Sequence, residues 1–122
     1  MPDFANDLAT DLAQPAGLPL AGPTTPRPPD RHSPRAQIDR GERMAAAMVQ
    51  AGFRHLEVTC DSDRPFELVQ RLQRHWPHCW VGLGSLRSAA QLDQGIAAQA
   101  AFGFSPALDH ALLARAIAQH FP

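Results

Sequence analysis

Lysine is missing altogether: the 11 positive charges among the 122 residues are all arginine. That absence excludes chemistry needing a side-chain primary amine, Schiff-base formation above all. A guanidinium stays protonated and offers no free amine to a carbonyl. The one other amine is the N-terminus, whose ordinary pKa of about 7.7–8.0 would suit, but it begins a proline-rich tail with no evident reason to enter a pocket. Cysteine is scarce, with only Cys60 and Cys79. Without a secretory signal such a pair reads as reduced cytoplasmic thiols rather than a disulfide. No apolar run is long enough to span a bilayer. The N-terminus lacks the basic and apolar regions of a signal peptide, and Asp3, Asp7 and Asp11 oppose a transit peptide. Neither sign of charge is in excess, the formal net charge being -1, so no nucleic acid and no membrane surface is expected as a partner.

What is present suits a soluble globular protein. A hydrophobic share of 44% over 122 residues supports one domain with a core and not two. Residues 1–34 hold 8 of the 12 prolines. Within them Phe4–Gln14 has the spacing of a short amphipathic helix, and Pro15–Pro34 reads as a linker, with Pro26-Arg27-Pro28-Pro29 favouring extended polyproline conformations. The expectation is a disordered proline-rich extension over 1–34 and a folded domain over 35–122.

From Arg35 the pattern becomes regular. Asp39 can cap a helix running to about Gln50, with Glu42 as capping-box partner and Met44, Met48 and Ala51 as its apolar stripe. Gly52 suits the left-handed residue that ends such a helix. His55–Thr59 then alternates as a strand, Leu56 and Val58 on one face and His55, Glu57 and Thr59 on the other. Ser62 or Asp63 can cap a second helix bearing Phe66, Val69, Leu72 and Trp76, which stops before Pro77. Trp80–Gly84 is the next strand. Ser85 or Ser88 caps a third helix with Leu92, Ile96 and Ala100 inward. Phe102–Phe104 is a third short strand, and Asp109 opens a fourth helix with Leu112, Leu113, Ile117 and Phe121 on its inner side. A β-α period of roughly 20 to 25 residues is what a parallel sheet with helical crossovers demands, and both open doubly wound sheets and (β/α)8 barrels fit it.

Glu57 is the residue that stands out. A carboxylate in mid-strand is costly to bury unless it is paired or used. Either it meets an arginine near the strand end or it carries chemistry.

Ala51-Gly-Phe-Arg-His-Leu-Glu-Val-Thr59, then Val81-Gly-Leu-Gly-Ser85, then Phe104-Ser-Pro106 resemble successive strand motifs of the 2-keto-3-deoxy-6-phosphogluconate and 4-hydroxy-2-oxoglutarate aldolases. The resemblance covers about residues 35–122, in order and at the right intervals. It implies an α/β fold, a partial (β/α)8 TIM barrel with about three parallel strands and four helices. It also implies a lyase that cleaves a 2-keto acid to pyruvate and an aldehyde through a lysine Schiff base, with no cofactor and no metal. By the same resemblance Glu57 is the proton-transferring acid. Arg35, Thr59, Ser85 and Pro106 contact the substrate, Arg35 from the end of a first strand. The ligand is then a pyruvate-like 2-keto acid.

The sequence departs from that pattern in three places. Asp61 stands where the family has a carboxylate-binding arginine, with Arg64 nearby on a turn. Asp30–Pro34 does not read as an apolar first strand. No lysine strand follows the fourth helix. A half-barrel that is inactive as a lone chain is therefore expected, along with a homo-oligomer or a complementing C-terminal half. A non-catalytic binding module is the alternative.

Two further clusters point elsewhere. His75-Trp76-Pro77-His78-Cys79 lacks the spacing of a recognised zinc site and reads as a helix end with well-placed histidines. Cys60 is turned from Glu57 by alternation and reads as a small apolar residue rather than a nucleophile.

Overall fold

The computed structural model describes residues 30–122. Elements follow in the order α1 (Pro34–Gln50), β1 (His55–Thr59), α2 (Pro65–His75), β2 (Trp80–Gly84), α3 (Ala89–Ala97) and α4 (His110–Ala118). The two strands are parallel, with His55 beside Trp80, Glu57 beside Gly82 and Thr59 beside Gly84. Where a third strand was expected there is a single parallel bridge, Leu83 to Gly103. Its hydrogen bonds still extend the sheet: Leu83 N–H donates to Phe102 O at 2.9 Å and Phe104 N–H to Leu83 O at 2.8 Å.

Alternation sorts the sheet into two faces. Leu56, Val58, Val81 and Leu83 are buried with Ile38 and Ala45 of α1, Val69 and Leu72 of α2, and Leu92 of α3. Each such side chain contributes about 1.5–3 kcal/mol by leaving water. On the opposite face His55, Glu57, Thr59 and Trp80 are exposed. The His55 and Trp80 rings stack there at 6.1 Å.

Helix α1 starts five residues ahead of the expected cap. Ser33 is its N-cap, with Oγ accepting from Ala36 N–H at 3.2 Å, and Pro34 occupies the first turn. Proline is pre-organised for that position and gives up a donor that would go unpaired anyway. Asp39 and Glu42 therefore lie inside the helix, where Arg71 of α2 meets them at 3.9 and 3.6 Å. The stripe is also corrected. Ile38 and Ala45 are buried, whereas Met44 is 59% and Met48 39% exposed, beside the unpaired edge of β1. Gly52 does adopt the left-handed conformation, at φ 99°.

Helix α2 begins without a side-chain cap, its N-cap being Arg64 at φ 48° rather than Ser62 or Asp63. Helices α3 and α4 are capped by Ser88 and Asp109. On α4 only Leu112 is buried. Leu113 is exposed and Ile117 is 65% exposed, against the expected inner side. The amphipathic helix at Phe4–Gln14 and most of the proline-rich linker lie outside the described residues.

Candidate functional site

Both strands end at the same edge of the sheet, and the chain turns sharply there. Of the four non-glycine residues at positive φ among the described residues, Gln99 and His120 follow helix ends, where left-handed residues are common. The other two, Arg64 and Ser85, follow β1 and β2. A left-handed non-glycine residue costs on the order of 1–3 kcal/mol and persists only where its surroundings hold it. Ser85 is held by Leu86, whose side chain is buried and whose N–H donates to Phe104 O at 2.9 Å.

Glu57 is exposed on the open face, and its side chain lies over the Cα of Gly84 on the neighbouring strand. A β-carbon at Gly84 would collide with the carboxyl group; a β-carbon at Gly82 would collide with the Phe102 ring. The two glycines thus admit the acid and the phenyl ring to the floor of the open face, the close approach that glycine in a strand permits. Glu57 makes no ion pair among the described residues, so the alternative of an arginine partner at the strand end is not what the structure displays.

Thr59 is exposed at the end of β1, its Oγ1 3.0 Å from Ser62 Oγ. Ser85 is half-buried at the end of β2, one residue beyond the Gly84 that pairs with Thr59. Pro106 is exposed, two residues past Phe104, in a turn where Ser105 Oγ donates to Ala107 O at 2.7 Å. Glu57, Thr59 and Ser85 are thus brought together, and Pro106 lies one strand position further on. Arg35 is not where a first-strand residue would be: it sits exposed in the first turn of α1.

Arg87, which sequence reasoning passed over, reaches back across this edge. Its Nη1 donates to Asp61 Oδ1 at 2.7 Å, joining the turn after β1 to the turn after β2. Its own N–H donates to Gln91 Oε1 at 2.8 Å, while Gln91 N–H donates to Ser88 Oγ, so the return bond of the cap reaches the residue before Ser88 rather than Ser88 itself. The Ser88-x-x-Gln91 spacing was visible in sequence; the partner 26 residues upstream was not.

Cys60 N–H donates to Gly84 O at 2.8 Å. Burial pushes its thiol pKa up, Asp61 adds to that, and Arg87 opposes it. A raised pKa favours the protonated thiol over the nucleophilic thiolate. Among the described residues no group of three or more His, Cys, Asp or Glu lies close enough to hold a metal ion.

Two hollows flank the sheet. One of about 220 Å³ runs along the edge of β1, lined by Met44, Met48, Leu56, Glu57, Thr59 and Ser62 among others. The larger, about 390 Å³, lies against α4 between Leu86, Leu92, Leu108, Leu112 and Phe121, and none of the candidate site residues line it. Glu57 and Thr59 line the first, whereas Ser85 and Pro106 line neither.

Parallel strands alternating with helices define an α/β domain. The family model for KDPG and KHG aldolase matches residues 35–122, and the chain belongs to that family. The 2-dehydro-3-deoxy-phosphogluconate aldolase of Dickeya dadantii is 32% identical over 77 residues, which are 63% of this chain and 36% of that protein. The KHG/KDPG aldolase of Escherichia coli K12 is 31% identical over the same length. The crystal structure of the Zymomonas mobilis ZM4 2-keto-3-deoxy-6-phosphogluconate aldolase with 3-phosphoglycerate superposes with a TM-score of 0.63 at 32% identity, covering 69% of this chain and 40% of that one. The Legionella pneumophila KDPG aldolase, with pyruvate captured as a covalent carbinolamine, shares the fold at a TM-score of 0.67 and 21% identity, covering 76% of this chain and 52% of that one. The chain therefore spans about a third to a half of the length of these relatives. No described helix is long and apolar enough to cross a membrane.

Proposed function

We propose that these residues form the keto-acid side of an aldolase pocket and bind a small 2-keto acid such as pyruvate without forming a covalent bond to it. Glu57 is the acid–base group of that pocket, and Thr59, Ser85 and Pro106 are its substrate contacts. What supports the reading above all is that the Glu57 side chain, from the middle of β1, lies over Gly84 beside Thr59 and Ser85 at the C-terminal ends of two parallel strands in register, in a chain of the aldolase family. Arg35 is the weakest member of the set, since it lies on α1 rather than at a strand end.

Carbon–carbon cleavage through a Schiff base needs a deprotonated amine, and the 122 residues contain no lysine. Lyase activity would then require the N-terminal amine, or an amine supplied by further polypeptide or a second chain. Proton transfer at Glu57 and recognition of the keto acid are the parts of the reaction this chain can contribute.

The test pairs two measurements on the purified chain. Pyruvate titrated into the isotope-labelled protein should shift the amides of Glu57, Thr59 and Ser85 in NMR spectra. Borohydride added with saturating pyruvate should leave the mass unchanged. Failure of those amides to respond would sink the pocket assignment; a covalent pyruvyl adduct would show that the N-terminal amine does the lysine's work.

A further inference from the structure

An arginine and an acid meet at the C-terminal edge of the sheet, Asp61 in the turn after β1 and Arg87 in the turn after β2. We infer that Arg87 is the anion-binding group of this pocket, taking the carboxylate of a small organic acid, and that Asp61 is its holder and its competitor. The inference rests on the proposed keto-acid pocket and names the residue that would orient the ligand in it.

Position comes first. Arg87 follows Ser85 by two residues, and Asp61 follows Thr59 by two. Thr59 pairs with Gly84 in the sheet register, so the turns carrying Asp61 and Arg87 leave the sheet side by side. Arg87's backbone is pinned on both sides, by buried Leu86 before it and by Gln91 Oε1, which accepts its N–H at 2.8 Å. The guanidinium then reaches Asp61 Oδ1 at 2.7 Å. It also acts on the Cys60 thiol, whose pKa it pulls down against the upward push of burial and Asp61.

Availability comes next. The Asp61 bond uses one of a guanidinium's five N–H donors, and no other acceptor engages the Arg87 side chain among the described residues. A planar fork with free donors is the group best matched to a carboxylate. The pair is open to solvent, 53% exposed at Arg87 and 60% at Asp61. Ion pairs this exposed are worth little and yield readily to a competing anion. Arg64, the alternative nearby, is instead drawn to Glu67 at 3.4 Å along α2. Arg35 lies on α1.

The arrangement also has a cost that makes it testable. With Asp61 beside it, the Arg87 site carries no net charge and repels an anion on one flank. Removing the acid should therefore tighten anion binding, and removing the arginine should weaken it.

The experiment titrates acetate, pyruvate and acetone into the labelled chain and follows the Cys60, Ser85 and Arg87 amides together with the Arg87 Nε–H. Acetate and pyruvate should shift these signals and acetone should not. Arg87→Gln should weaken both carboxylates about tenfold or more, the size of one charge-assisted hydrogen bond. Asp61→Asn should tighten them, and Arg64→Gln should leave them unchanged. If Arg87→Gln titrates like the wild type, Arg87 is not the anion group, whether or not pyruvate still binds at Glu57 and Thr59. If acetate and pyruvate bind equally through Arg87 and the Glu57 amide never moves, the anion site stands and the keto-acid reading falls. Silence from every carboxylate, in the wild type and in Asp61→Asn alike, overturns both.

Discussion

Glu57 and Val58 are neighbours in sequence with opposite physical roles. The acid is solvated and makes no ion pair among the described residues, whereas the valine is buried against the helices. Glu57→Gln should change stability by less than about 1 kcal/mol, as for exposed acids. Val58→Ala should cost on the order of 1–3 kcal/mol through lost apolar contact. Urea melts of the two variants decide it; a glutamine variant that falls as far as the alanine one would make the acid structural rather than functional. The glycines beneath the open face give a second contrast. At Gly84 the atom in the way is the end of a flexible Glu57 side chain, which can swing into solvent. At Gly82 it is the Phe102 ring. Gly82→Ala should therefore destabilise by about 1–3 kcal/mol, the usual range for overpacking, and Gly84→Ala distinctly less. Equal losses in thermal melts would show that Glu57 is not free to move.

Between elements, the contact of α3 with α4 depends on a charged clamp as well as on Leu92 and Leu112. Arg115 donates to both oxygens of Asp93, at 2.8 and 2.7 Å, and Gln119 adds a third bond at 3.3 Å. The Arg115 hydrogen bond, helped by that of Gln119, holds the Asp93 carboxyl below its ordinary pKa of 3.8. A depressed folded-state pKa means the clamp's contribution is fully present above the unfolded value. It is lost as pH falls through the folded one. Asp93→Asn should thus melt earlier than the wild type near neutral pH and converge with it in strong acid. No gap near neutral pH would mean that the helices are held by packing alone, and a gap that persists unchanged below the carboxylate range would mean that the loss does not come from the ionised clamp. Helix α1 carries a comparable lesson, since its acids serve Arg71 across the α1–α2 contact rather than its own N-terminus.

At the scale of the molecule the sheet is unfinished. The β1 edge has no partner among the described residues, and Met44, Trp80, Phe104, Leu108 and Ile117 present exposed apolar surface on several sides. Unpaired strand edges and apolar patches drive association. We expect the purified chain to be dimeric or of higher order at tens of micromolar, about the range in which such surfaces associate. Sedimentation velocity checks this, and a stable, well-folded monomer at that concentration would refute it.

Helix and strand positions were largely legible in the sequence, because periodicity, caps and turn residues act over three or four residues. Gly52, Ser88 and Asp109 do in the structure what their types and places suggest. The two faces of His55–Thr59 followed from alternation alone, whereas the exposure of the face bearing Glu57 is decided by the tertiary structure. The absence of lysine was a matter of counting. Other features needed the third dimension. Met44 and Met48 have helical spacing, but which stripe of α1 is covered depends on where α2 and the sheet lie, and these leave the methionines outside. Asp39 has the chemistry of a cap, yet Ser33 with Pro34 starts the helix earlier and frees the acid for Arg71. Arg87 is unremarked in a linear reading. Only the parallel register, which sets Thr59 beside Gly84, brings the following turns together and gives it Asp61 as a partner. A side chain's own conformation is decided by its neighbours in sequence; what it can bind is decided by the strand that happens to lie alongside.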